Sequence, residues 1–257
     1  MLRVREMDIE FYRHYANALE AAQPPAWRYN EMKPCGFNYN NFILARVYDT
    51  YHQMFRDYRR ESERIIDLLG LSPTAAVLDM GCGTGAFALH AATYYESVHA
   101  VDVSKAMLGR ARRKAKKANL KNIQFHLGGF LTYEHRAAPV DAISTSVALH
   151  HLPDFWKFVG LTRLAAMLKS GGRLYLFDVV FSFEIAQYES CFNQFIKQIS
   201  VQMGPNGEAE SQTHLRDEFS TCDWIMEGML ERAGFVIDTR EYHNGFLAAY
   251  VCTKKHR

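Results

Sequence analysis

From Ala76 onward, short apolar runs alternate with helical patterns. AAVLDM, SVHAVDV, NIQFHL, VDAISTS and RLYLFDVV are separated by stretches whose apolar residues recur at helical spacing. Nearly continuous apolar strands are buried on both faces, so this order specifies a parallel, doubly wound α/β sheet covered by helices on each side. The chain closes with FVIDTREYH and FLAAYVCTK joined through Asn244-Gly245. Asn-Gly between two strands is a strong hairpin signal, and it makes the sheet mixed at one edge. Helices are expected from Ala86, after a Ser104 cap, and from Asp154.

The character differs before Pro73 and after Val180. Residues 24 to 41 form a turn-rich loop by their Pro, Gly and Asn content. NFILARVYDTYHQMFRDYRRESERIIDLLGL then reads as one long helical pattern ending at Gly70. Past Val180, FEIAQYESCFNQFIKQISVQM reads as an extra helix, GPNGEAESQ as an exposed loop, and TCDWIMEGMLERAGF as a helix ending at Gly234. The expected organisation is a helical lid over 1–72 and a core over 73–257, with an insertion at about 181–219.

With 257 residues the chain can bury one sizeable core, and a net charge of +2 gives no general electrostatic case for nucleic acid or an acidic membrane. The N-terminus has no apolar signal region, and no run of about 18 apolar residues could span a bilayer. The five cysteines are odd in number and lack any Cys-x-x-Cys spacing, which points to reduced thiols, a cytoplasmic protein and no zinc cluster.

The first strand runs into VLDMGCGTGAF, residues 77 to 87. A glycine-rich turn between a buried strand and a helix lets backbone N–H groups approach a ligand beyond the strand ends. Asp102, at the end of the second strand, suits ribose hydroxyls. A dinucleotide fingerprint runs Gly-x-Gly-x-x-Gly, whereas this turn has Gly81, Gly83 and Gly85 in alternate positions. The spacing disfavours a dinucleotide.

These residues resemble the class I S-adenosyl-L-methionine (SAM)-dependent methyltransferases, in particular the small-molecule branch with the quinone-biosynthesis C-methyltransferases. The likeness rests on VLDMGCGTG, HAVDVSKAML, VDAISTSVALHHLPD and LKSGGRLYLFD falling in the family's order, with YDTYH at 48 to 52 before the core. It implies a Rossmann-like seven-stranded sheet of order 3-2-1-4-5-7-6, its last strand antiparallel, with SAM as cofactor. Carried over to this chain, it implies that Gly81, Cys82, Gly83 and Gly85 form the turn around the methionine part, and that Asp79 orients that turn or reaches the ligand amino group. Asp102 would take the ribose hydroxyls, Val103 and Met107 would pack on the adenine, and Ser146 would sit near the methionine end. One departure stands out. Where the family often has Gly-Asp-Ala, with the acid accepting from the adenine amino group, this chain has Gly128-Gly129-Phe130. A backbone carbonyl at Gly129 or another residue must therefore meet the adenine edge, with Phe130 beside the ring.

Methyl transfer from a sulfonium needs alignment and exclusion of water and requires no metal. An acceptor carrying a proton can need a base, and His150 and His151 are candidates because histidine titrates near neutral pH. The same histidines also suit a packing role at the next helix, and no catalytic residue is assigned. Tyr39, Tyr48, Tyr51 and His52 are candidates for one side of the acceptor pocket, and Phe181, Phe195, His214 and Arg216 for the other. RARRKAKKANLK reads as the solvated face of a helix, which makes a small molecule the first expectation for the acceptor. An RNA-directed enzyme and a non-catalytic SAM-binding regulator are the alternatives.

Overall fold

The computed structural model describes residues 25–36, 38–53 and 56–256, without the side chains of residues 43, 44, 47, 51 and 52. The chain divides into two compact units, Met1–Asn30 and Glu31–Arg257. Of the first, residues 25–30 form a turn closed by Arg28 N–H on the Pro25 carbonyl. The sheet, its helices and the cavity belong to the second.

Within the second unit, α1 (Phe42–His52) and α2 (Tyr58–Leu69) precede the sheet. The single helix expected there is broken because the Asp57 carboxylate accepts the Arg60 N–H and caps a new helix, which ends, as expected, at a left-handed Gly70. α2 buries Ile65 and Leu69 against the sheet. α1 packs Ala45 on Ala106 and Met107.

The strands β1 (Ala76–Met80), β2 (Ser97–Asp102), β3 (Ile123–Leu127), β4 (Val140–Ser146) and β5 (Leu168–Phe181) are parallel. Between them lie α3 (Ala86–Ala91), α4 (Lys105–Lys117) and α5 (Asp154–Met167). Ser104 caps α4 by accepting the Met107 N–H at 3.1 Å. Beyond β5 come α6 (Tyr188–Asp217), a two-residue β6 (Thr221–Cys222), α7 (Asp223–Arg232), β7 (Phe235–His243) and β8 (Leu247–Lys254).

The order is β3-β2-β1-β4-β5-β8-β7, with β8 antiparallel to both neighbours and β6 paired to the end of β5. This is the expected topology, and the short β6 only shifts the last two strand numbers. Asn244 and Gly245 take φ of 53° and 75°, the left-handed pair that a tight hairpin requires.

The expected loop GPNGEAESQ is instead helical. Gly204 (φ 67°, ψ −162°) breaks α6, and Pro205 starts its second half, where a missing N–H costs no helical bond. Among the described residues, no helix is long and apolar enough to cross a membrane.

Candidate active site

The C-terminal ends of β1, β2 and β4 open on a cavity of about 370 Å³. Its floor is the glycine turn. Gly81 and Cys82 donate their N–H groups to the Val101 carbonyl at 2.8 and 2.9 Å, locking the turn to the neighbouring strand. Gly81 has φ of 75°, and a Cβ there would stand 2.4 Å from the Ala148 Cβ. Gly83 (φ 53°) faces open space within the cavity wall. The Asp79 carboxylate accepts the Ala88 N–H at 3.1 Å and so fixes where α3 begins. Burial raises its pKa to about 7, against that hydrogen bond and with a further push from Asp102.

Asp102 is a buried carboxylate of the wall. Its Oδ2 accepts the Gly83 N–H and its Oδ1 the Ser104 N–H, each at 2.7 Å. Burial lifts its pKa to about 6 despite these two donors. Asp49 of α1 accepts from the Thr84 hydroxyl and pairs with Lys114 at 3.1 Å, which ties α1 to the turn. Val103, Met107, Phe130 and Ser146 also line the cavity. Gly85 lies outside the wall, packed on Ala111 and Leu89. Gly129 is in the wall with the Glu31 carboxylate against it: a Cβ on Gly129 would meet Glu31 Oε2 at 2.5 Å.

The cavity is also lined by Tyr39 and Tyr48, which pack on Met107, by His150, His151 and His214, and by Phe195, Ile199 and Met203 from α6. Tyr51 and His52 have side chains outside the described ones. Arg216 does not reach the cavity, because its guanidinium turns to Asp217 at the exposed end of α6. Phe181 packs instead among Phe183, Phe192 and Phe246. Val147, at the end of β4, has φ of 51°, strained for a β-branched residue, and sits in the wall held by its N–H on the Phe177 carbonyl.

Behind this wall the HHLPD motif is a docking platform for the segment after α6. The His150 carbonyl accepts the Phe219 N–H at 2.8 Å, Asp154 accepts from the Thr221 hydroxyl, and Lys157 donates to Asp154 and to the Phe219 carbonyl. This brings Glu218 to the histidines. His150 Nδ1 lies 2.5 Å from Asp178 Oδ1, and its Nε2 lies 3.3 Å from Glu218 Oε2, which His214 also engages. Burial opposes a charge on His150, but the two carboxylates outweigh it and raise its pKa to about 9. Both acids are held below their ordinary values against the effect of burial, Asp178 by His150 and Glu218 by His150 and His214. His151, half-buried in the cavity wall, is lowered to about 4 by burial and by the charge on His150, so it is neutral near pH 7.

Donor atoms of His150, His151 and Glu218 lie within 4.8 Å of one another, a spacing a divalent ion could bridge. The hydrogen bonds and ion pairs within the cluster already engage both nitrogens of His150. Asp178, Glu218 and Glu31 were missed in the sequence. Asp178 ends the quoted LKSGGRLYLFD stretch, whereas Glu31 and Glu218 lie in segments with no periodic signal.

A family model described as a methyltransferase domain matches residues 77–172. The 27-O-demethylrifamycin SV methyltransferase of Amycolatopsis mediterranei is 31% identical over 46% of this chain and 44% of its own length. The S-adenosyl-L-methionine-dependent Diels-Alderase iccD of Talaromyces variabilis is 28% identical over 75% of this chain and 64% of its own. The chain therefore spans about half to two thirds of these relatives. In fold it is similar to the magnesium protoporphyrin IX methyltransferase of Synechocystis, crystallised with S-adenosylhomocysteine (SAH), at a TM-score of 0.60 and 15% identity, covering 84% of this chain and 98% of that one.

Domain match and fold agree: residues 77–172 match a methyltransferase domain, and the sheet has the fold of the SAM-dependent methyltransferases. The open space at Gly83 and the acceptor atoms of Asp102 suit the methionine and ribose parts of SAM.

Proposed function

We propose that this protein transfers the methyl group of SAM to a small-molecule acceptor bound between α6, α1 and the segment before α1. The observation that carries this reading is the continuity of the cavity, which runs from Asp102 and Gly83 to His151 and His214 without leaving the fold. When bound, SAM supplies an electrophilic methyl on a sulfonium. Asp102 would hold the ribose hydroxyls, and Gly81, Cys82 and Gly83 the methionine portion, with Ser146 at its far end. Val103, Met107 and Phe130 would flank the adenine, and Asp79 would keep the turn in shape.

On the acceptor side, Phe195, Ile199 and Met203 offer apolar surface, and Tyr39 and Tyr48 aromatic edges. This suits an acceptor with an apolar or aromatic body, the kind handled by the quinone-biosynthesis C-methyltransferases. Neutral His151 would accept a hydrogen bond from the acceptor's O–H or N–H and orient its attacking atom. Glu218, set by His150 and His214, supplies negative charge behind it. The lid role expected of residues 1–72, of which 1–24 lie outside the described residues, and that of α6 belong to the same proposal, as does a cytoplasmic setting, supported by five free cysteines.

The test is incubation with methyl-labelled SAM and a fractionated cell extract. Label in a small-molecule fraction is the expected result. Label in RNA would contradict the acceptor class. SAH binding with no transfer would favour a regulator, or a SAM-dependent catalyst of another reaction, as the Diels-Alderase relative's name describes for that protein.

A further inference from the structure

We infer that Glu31 selects the adenine of the cofactor, its Oε2 accepting the exocyclic amino group of the base. The inference rests on the cofactor placement above and names a residue outside every motif that pointed to that placement. Glu31 is buried, and its Oε1 accepts from the Leu131 N–H at 2.9 Å, the Thr132 N–H at 2.7 Å and the Thr132 hydroxyl at 2.7 Å. Oε2 has a single longer bond, 3.1 Å from the Leu131 N–H. The loop after β3 thus fixes the carboxylate in one orientation and leaves Oε2 with acceptor capacity beside the cavity.

The place of that oxygen matters. It lies 2.5 Å from where a Cβ on Gly129 would stand, and Val103 Cγ1 lies 2.8 Å from the same point. A side chain at 129 and the Glu31 carboxylate exclude one another, which explains why this loop has glycine and how an acid still reaches the spot. Val103 follows Asp102 directly, so a base whose ribose sits on Asp102 extends past Val103 toward Gly129 and Glu31. An amino group there donates to a carboxylate. A base with a carbonyl at that position would set two acceptors against each other, and an unmet buried acceptor is costly.

The experiment is calorimetric binding of SAH and of S-inosylhomocysteine, which differs by a carbonyl in place of the amino group. The wild-type protein is expected to prefer SAH by on the order of 100-fold, the ratio expected when a buried charged acceptor loses its donor. In Glu31→Gln the side-chain carbonyl should stay under the three inward donors, turning the NH₂ toward the cavity. The preference should then fall to within about threefold or invert, with little change in thermal unfolding. An equal loss for both ligands, or an unchanged ratio, would overturn the inference. A second variant guards against a folding artefact: Gly129→Asp alone should lose SAH binding, and Gly129→Asp with Glu31→Ala and Val103→Ala, which clears both side chains that a Cβ at 129 would meet, should regain both binding and the SAH preference. Failure of the triple variant to regain them, with the fold intact, would also count against it. If the wild-type protein binds neither ligand, it is the cofactor placement that fails.

Discussion

His150 is held between Asp178 and Glu218, with Nδ1 2.5 Å from one carboxylate and Nε2 3.3 Å from the other. Asp178 also accepts the backbone N–H groups of Leu149, His150 and Val179, so one side chain shapes the turn after β4 and the charge of the imidazole. The arrangement joins the β4 and β5 ends to the segment that delivers Glu218.

Stability should depend on pH through His150. Its folded pKa of about 9 exceeds the ordinary 6.5, so its contribution is complete below 6.5 and lost as pH rises through 9. The two acids act in the opposite sense, losing theirs as pH falls through their lowered values. The shift of His150 corresponds to about 3 kcal/mol at most, the acids reporting the same interaction. Asp178→Asn should cost about 3–5 kcal/mol, because it breaks a buried pair and leaves a charge behind. Chemical denaturation at pH 6 and pH 9.5 measures both effects; a variant whose loss does not shrink at the higher pH would count against the pairing.

Two glycines of one turn should fail differently. Gly81→Ala meets the Ala148 Cβ at 2.4 Å and should lower stability by about 2 kcal/mol or more, since the left-handed backbone adds strain to the clash. Gly83→Ala meets nothing within 4 Å and should lose about 1 kcal/mol, while weakening SAH binding more than tenfold. Paired unfolding curves and calorimetry separate the two.

Cofactor binding should weaken in mild acid. Asp102 ionises at about 6, raised by burial, and a ligand that favours its charged form binds more weakly as pH falls through that value. The SAH Kd should rise about tenfold per pH unit below 6 and level off above 7. In Asp102→Asn it should rise about 10- to 100-fold, and the pH response should flatten.

His151→Phe should lower kcat by about 100-fold or more while leaving the SAH Kd within about threefold, because the ring lines the part of the cavity where the acceptor is proposed to bind. Single-turnover kinetics with the identified acceptor provide the check. An unchanged kcat would remove His151 from the proposed reaction.

Whereas the sheet order came with the family resemblance, the alternation of buried strands and helices, the Asn244-Gly245 hairpin and the Ser104 cap were legible because strand burial, turn chemistry and capping are local in sequence. Asp102 and the glycine turn were legible for the same reason. Glu31 and Glu218 were not: each acts through contacts made roughly 70 to 100 residues away, on Leu131 and Thr132 in one case and on His150 in the other. GPNGEAESQ misled because glycine and proline also mark a break between two helical halves, with Pro205 suited to open the second.

A crystal structure with SAH tests the central claim most directly. The account expects the ribose hydroxyls on Asp102, the adenine amino group on Glu31 Oε2 and the sulfur facing His151 and Tyr39. A ligand whose ribose avoids Asp102, or whose sulfur points away from the α6 wall, would contradict it.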